Sequence, residues 1–286
     1  MKSIRWIVTE RERLPDSIAK KLQLPSKKRA RLLLDQGCCY VNDRIQRFAN
    51  LELEPGDRIE VILHEASEVP ALDIAYEDEW LYILNKPAGL VVDQETISRE
   101  LNQEIFLVHR LDKFTSGALL VAKDAKTQKA LEEQFRKRKI AKGYLAIVDG
   151  CLEPTHGEIT DAIEKKGLLS KVSDAGKSAR TAFDVIASSE FASLVFLRPL
   201  TGRTHQLRVH MAHVGFPILG DYYYSDQFLC NLKPKRYLLH AWKITFNHPF
   251  METPLPWTVS MPDDMLQTAK RLFGYEFRKK LCALSL

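Results

Sequence analysis

The order of elements predicts an α+β fold: a domain built on a mixed, largely antiparallel sheet, preceded by a small α/β module. Three observations carry this expectation. The first 66 residues read as helices followed by a short hairpin, and apolar strands dominate from residue 73 onward. Helical stretches interrupt those strands at 124–138 and about 204–214, too seldom for alternating βαβ units. A chain of 286 residues with 45% hydrophobic content has room for a sizeable core and a smaller module beside it.

In the first module, 1–66, Ser26 is placed to cap a helix through KKRARLLLDQ, which Gly37 closes in a left-handed conformation. Ala30, Leu32 and Leu33 are expected to face inward. CCYVND follows as a short strand and turn, and Pro55-Gly56-Asp57 launches the alternating strand of RIEVIL. Lys27, Lys28, Arg29 and Arg31 gather positive charge around the first helical turns. That distribution suits phosphate contacts, although a solvated helix face looks the same in sequence. The aperiodic stretch HEASEVPAL contains Pro70, and a linker is placed at 67–72. The second domain, 73–265, opens with the continuous apolar strand WLYIL and the turn Lys86-Pro87-Ala88-Gly89, and Asp124 caps its first helix. The tail, 266–286, reads as an amphipathic helix with Leu266, Leu272 and Phe273 on its apolar side.

A formal net charge of +5 permits an anionic partner without requiring one. Five cysteines, an odd number with no C-x-x-C pair, point to a reducing compartment and away from a disulfide framework or a metal site. His205, His210 and His213 lie close together but lack an acidic ligand at a recognised spacing. No apolar run approaches the ~20 residues that span a bilayer, and MKSIRWIVTERERLP lacks the apolar core of a secretory signal. A soluble, cytoplasmic monomer is expected, with Arg5, Arg11 and Arg13 leaving an organelle-targeting arm open.

The chemistry concentrates in VHRLDKFTSGALLVAKDA, residues 108–125. His109-Arg110-Leu111-Asp112 leads through Thr115-Ser116-Gly117 into a strand apolar enough to be buried. Polar groups at the mouth of such a strand are where a rigid scaffold presents reactive side chains, although an arbitrary H-R-x-D is more often a plain turn. Other blocks keep a fixed order around it: Asn85-Lys86-Pro87-Ala88-Gly89, then Lys142-Gly143-Tyr144-Leu145-Ala146. Thr201-Gly202-Arg203-Thr204-His205-Gln206-Leu207-Arg208-Val209-His210 comes next, followed by Pro217-Ile218-Leu219-Gly220-Asp221 and Leu239-His240-Ala241-Trp242. Together they resemble the RluA-type pseudouridine synthases. Residues 12–63, with Arg13-Leu14, the basic helix, Val41-Asn42 and Pro55-Gly56-Asp57, resemble the S4 RNA-binding domain.

The resemblance implies a catalytic domain of pseudouridine synthase type behind an S4-like module that uses Lys27, Lys28, Arg29 and Arg31. It implies that Asp112 is the catalytic aspartate, that Arg110 helps displace the target base, that Tyr144 contacts the base, and that Arg208 ion-pairs with Asp112. His109, Lys142, Arg203, Gln206 and His210 are carried over as substrate contacts or their support. The implied partner is RNA, large-subunit ribosomal RNA first and tRNA second; the connection from Val91-Val92 to His109 departs from the larger ribosomal-RNA members in being short and in carrying Asp93-Gln94 after the valines, which leaves the choice of RNA open. No protein partner or membrane is implied.

The reaction suits these residue types. It breaks the N1–C1′ bond of uridine, turns the base and rejoins it through C5 with no net change in composition, so no cofactor is expected. A carboxylate serves as nucleophile at C1′ or as base toward the sugar, and a fixed guanidinium keeps it ionised when desolvated. The base must first leave its stack, at a cost of about a few kcal/mol. Two rival readings exist: an RNA-binding protein without catalysis, and a glycosidic hydrolase, which commonly needs a second carboxylate that the sequence does not offer.

Overall fold

The computed structural model describes residues 2–35, 37–47, 49–63, 71–167, 169–225, 227–251 and 253–285. The chain forms two compact units. One comprises Met1–Glu68 with Gly220–Gln227 and Lys233–Arg236; the other comprises Val69–Leu219, Phe228–Leu232 and Tyr237–Leu286. Of the linker expected at 67–72, residues 67–70 lie outside the described residues.

In the first unit β1 (Lys2–Ile7), β2 (Glu12–Arg13), α1 (Leu14–Lys21), α2 (Lys27–Asp35), β3 (Cys39–Val41), β4 (Arg44–Gln46), β5 (Glu52–Leu53) and β6 (Arg58–Leu63) follow in order. An antiparallel sheet runs β1-β6-β3-β4, with β2 and β5 paired apart. Ala30 and Leu34, one helical turn apart, bury the inner face of α2 against Leu14, Ile18 and Val61. Leu33 is only partly covered, and the side chain of Leu32 lies outside those described. Gly37 closes the helix at φ +67°, its N–H donating to Leu34 O and that of Cys38 to Leu33 O, the paired bonds of a Schellman close. Asn42 and Asp43 both take positive φ, which makes the β3–β4 connection a two-residue hairpin. Lys28, Arg29 and Arg31 are exposed on α2, whereas Lys27 shares its charge with Asp16 at 2.8 Å.

The second unit contains β7 (Asp73–Glu77), β8 (Leu81–Lys86), α3 (Gln94–Leu101), β9 (Phe106–Leu107), β10 (Ser116–Ala122), α4 (Ala125–Arg136), β11 (Ala141–Asp149) and β12 (His156–Ile159). It continues with β13 (Ile163–Lys166), β14 (Leu169–Val172), β15 (Thr181–Ser188), β16 (Ala192–Pro199), α5 (Gln206–His213), β17 (Leu239–Asn247), β18 (Pro254–Thr258), α6 (Asp263–Phe273) and α7 (Phe277–Ser285). One large sheet runs β12-β15-β16-β11-β17-β10-β8-β7, with β18 beside β17 and β9 beside β10. Every pair in it is antiparallel except β10–β17, so the sheet is mixed and largely antiparallel.

Period-2 alternation sorts the strand residues onto two apolar faces. Leu119 and Val121 of β10 join Tyr144, Leu197, Leu207 and Met211, which seats α5 on one face. Ala118, Leu120 and Ala122 join Leu131 of α4 on the other. Further along that second face Met265, Ala269 and Phe277 of α6 and α7 pack on Leu145, Leu194 and Trp242. The expected amphipathic tail is therefore two helices separated at Gly274, and both contribute to the core.

Helix α3 is an addition to the sequence reading. Asp93 caps it, accepting from the Thr96 N–H at 2.8 Å, and Ile97 is its buried anchor. Asp124 caps α4 as expected, accepting from the N–H groups of Lys126 and Thr127.

Candidate active site

The loop between β9 and β10 carries His109, Arg110 and Asp112, and three devices hold it. His109 points away from the cleft: its Nε2 accepts from the Leu120 N–H at 2.9 Å, and its ring lies on Phe135, 4.9 Å between centroids. The β17 pairing along β10 stops at Gly117 and the β9 pairing starts at Val121. His109 thus supplies the acceptor that a buried strand N–H requires in that gap. Burial, assisted by Lys142, pushes its pKa down to about 3, which keeps the acceptor nitrogen free of a proton.

The second device is Lys86. Fully buried, its ammonium donates to the carbonyls of Pro87, Leu90 and Lys113, which ties the Lys86–Leu90 turn to the residue after Asp112. The third is the turn itself, closed by the Thr115 N–H on Asp112 O at 3.0 Å. Gly117 then enters β10 at φ +112°, where an added Cβ would meet Ala241 O of β17 at 2.2 Å. Only glycine allows the two parallel strands to approach so closely beside the loop.

Around this loop lies a cavity of about 410 Å³. Asp112 lines it with a partly exposed side chain, and its Oδ2 stands 3.6 Å from Arg208 Nη1 and 3.8 Å from His205 Nε2. Arg208 comes from α5, which is buried from Gln206 through Met211, and its guanidinium lies 4.1 Å above the ring centre of Tyr237. The approach to Asp112 is an ion pair rather than a short two-pronged hydrogen bond. Tyr144 faces the same cavity from β11, directly after a register shift between Gly143 and Tyr144. Bulges of this kind re-aim a side chain. Burial and the nearby Asp112 push the Tyr144 phenol up, so it presents an O–H at neutral pH.

Lys142, two residues earlier on β11, also lines the cavity, and burial pushes its ammonium down. Arg110 is exposed on the wall, and Arg203 lines it while its Nε donates to Ser178 O at 3.0 Å. Gln206 borders the cavity but is fully engaged: its Oε1 accepts from the Thr201 hydroxyl and the Arg203 N–H, and its Nε2 donates to Arg180 O and Thr181 Oγ1. His210 is fully buried, with Nε2 on Asp161 O and Nδ1 on Thr181 Oγ1, both at 2.9 Å.

Of the residues singled out in sequence, Asp112, Tyr144, Arg208, Arg110, Lys142, Arg203 and Gln206 come together around one cavity. His109 and His210 stand behind its walls. The basic residues of α2 belong to the other unit. His205 is a further participant that the sequence reading did not assign to the site. It caps α5 in the left-handed region at φ +57°, a strained conformation for a non-glycine residue. The signal for His205 was its place within the Thr201–His210 block. Lys165 belongs to a lysine- and glycine-containing polar stretch, which reads as a hairpin or loop at the edge of the cleft, and it lines the cavity from the β13–β14 hairpin.

Comparison with known proteins agrees with this geometry. The RNA pseudouridylate synthase family profile matches residues 80–213. Ribosomal large subunit pseudouridine synthase D of Haemophilus influenzae is 32% identical over an alignment spanning 91% of each chain. Ribosomal large subunit pseudouridine synthase C of Buchnera aphidicola is 38% identical over 198 residues, 62% of this chain and 63% of that one. The structure of human RNA Pseudouridylate Synthase Domain Containing 4 superposes with a TM-score of 0.60 at 29% identity, covering 70% of this chain and 92% of that one. Shared sequence across most of its length and a shared fold make this chain a member of the RNA pseudouridylate synthase family.

Proposed function

We propose that the chain isomerises uridine to pseudouridine in large-subunit ribosomal RNA, with Asp112 as its essential carboxylate. One observation carries the reading. Among the described residues lining the cavity Asp112 is the one carboxylate, and Arg110, Lys142, Lys165, Arg203 and Arg208 surround it. A lone carboxylate suits a reaction in which the base that leaves C1′ is the base that returns to it, with no water to activate. Two-carboxylate hydrolysis would need a partner that is absent among the described wall residues. The concentration of cations suits a polyanionic substrate.

Each side chain has a task in this reading. Asp112 attacks C1′ or takes a proton from the sugar, and either route starts from the carboxylate, beside which the Arg208 guanidinium stands. Tyr144 offers its ring and O–H to the uracil while the N1–C1′ bond breaks and the C5–C1′ bond forms. Arg110, exposed, takes the space the base vacates. Lys142 and Arg203 meet the flanking backbone. His109, Gln206 and His210 hold the walls through the hydrogen bonds described above. The first unit acts as an S4-like module that grips RNA through Lys28, Arg29 and Arg31. The protein works as a monomer in the cytoplasm, where its RNA is.

The test is to delete the gene in its host, map pseudouridine across ribosomal RNA and tRNA, and re-express wild type and Asp112→Asn. Loss at defined large-subunit uridines, restored by wild type alone, is the expected result. Restoration by Asp112→Asn overturns the role of Asp112, and loss confined to tRNA overturns the substrate.

A further inference from the structure

Tyr237 lies outside the cavity, only 3% exposed, at the point where the chain enters β17. It nevertheless meets Arg208 directly and the Asp112 loop through Phe114 and Thr115. On one face it carries the Arg208 guanidinium, 4.1 Å above the ring centre. At its edge stands Phe114, two residues after Asp112, with ring centroids 6.2 Å apart and planes at 85°. Its hydroxyl accepts from the Thr115 hydroxyl at 3.4 Å, and the Thr115 N–H in turn closes the turn on Asp112 O.

From this arrangement we infer that Tyr237 is a positioning residue for the reaction: its ring sets the plane of Arg208 and, through Phe114 and Thr115, the height of the Asp112 loop against it. The inference rests on the reading of Asp112 and Arg208 as the working pair. Its physical basis is the electron-rich ring face, which attracts a guanidinium and favours the stacked orientation over tilted ones. The 3.6 Å separation of Nη1 from Oδ2 is longer than a hydrogen bond, so the position and plane of the guanidinium decide whether the pair closes to hydrogen-bonding distance. A face of fixed electrostatic character behind the arginine therefore does more than fill space. Tyr237 touches neither base nor sugar, so removing the ring face should slow the chemical step and leave RNA binding alone.

The test uses the full chain on a transcribed RNA substrate, with kcat and KM measured separately. Tyr237→Phe keeps the face and should hold kcat within about threefold. Tyr237→Leu removes it and should lower kcat by about 10- to 100-fold, the scale of a ~1 Å misplacement in an active site, with KM within about twofold. In case the leucine variant does not fold, phenylalanines carrying zero to three ring fluorines are placed at 237. They keep nearly the same shape while weakening the negative face in steps. A stepwise fall in kcat with fluorination at constant KM supports the inference, because packing alone would not respond. A flat series overturns it, as does a leucine variant of full kcat. Asp112→Asn is assayed alongside. If that variant is inactive while the series is flat, only the role of Tyr237 fails; if it turns over, the reading of the pair fails, and the inference with it.

Discussion

Protonating His109 would take from the Leu120 N–H its acceptor at the gap in β10. Because burial holds the folded-state pKa near 3, well below the unfolded value of ~6.5, the unfolded chain binds the extra proton first as pH falls. The stabilisation is therefore complete above pH ~6.5 and is lost as pH drops toward the folded value. Between pH 7 and pH 5 this one residue should remove at most about 2 kcal/mol of stability. His109→Gln keeps an acceptor but does not titrate, so urea unfolding of that variant should show a shallower loss over the same range. Parallel curves would refute the assignment. At this scale the gathering of Asp112, Tyr144 and Arg208 at one cavity was legible through the family resemblance of the ordered blocks, since an isolated H-R-x-D is more often a plain turn. His109 and His210, carried over as substrate contacts or their support, do not line the cavity, and sequence does not reveal which way a polar ring turns once a strand end needs an acceptor.

The β10–β17 junction decides the fate of the active-site loop. Gly117→Ala would place a methyl group 2.2 Å from Ala241 O at a φ of +112°. The backbone must move or the strands must part, so a loss of more than about 2 kcal/mol is expected, together with most of the turnover. Thermal unfolding and single-turnover assays check it; a variant of wild-type melting temperature and rate would mean the contact relaxes freely. The apolar run of β10, the capped helix α4 and the Gly37 helix close were readable from sequence, since each follows from local pattern and cap chemistry. Helix α3 and the division of the tail into α6 and α7 were not, because helices of only eight to eleven residues owe most of their stability to what they pack on. The parallel pairing was equally hidden: Gly117 looks like a turn glycine until the distant strand is seen beside it.

For the whole molecule the charges of α2 offer a quantitative test of how the work is divided between the units. Lys28, Arg29 and Arg31 are exposed, while Lys27 is paired with Asp16. If those three meet phosphates, replacing them with Gln should lower the slope of log affinity against log salt by about 2, with kcat at saturating RNA unchanged. Titrations at several salt concentrations measure it, and an unchanged slope would assign the helix to another task. The parallel pair also sets a timetable for synthesis. Ser116 and His240, neighbours across that junction, are 124 residues apart in the chain. At ~5–20 residues per second, about 6–25 s of translation separate them, and the Asp112 loop lacks its flanking strand throughout. A nascent chain thus displays the basic helix α2 long before the Asp112 loop is braced on both sides, and the brace arrives only as β17 leaves the ribosome.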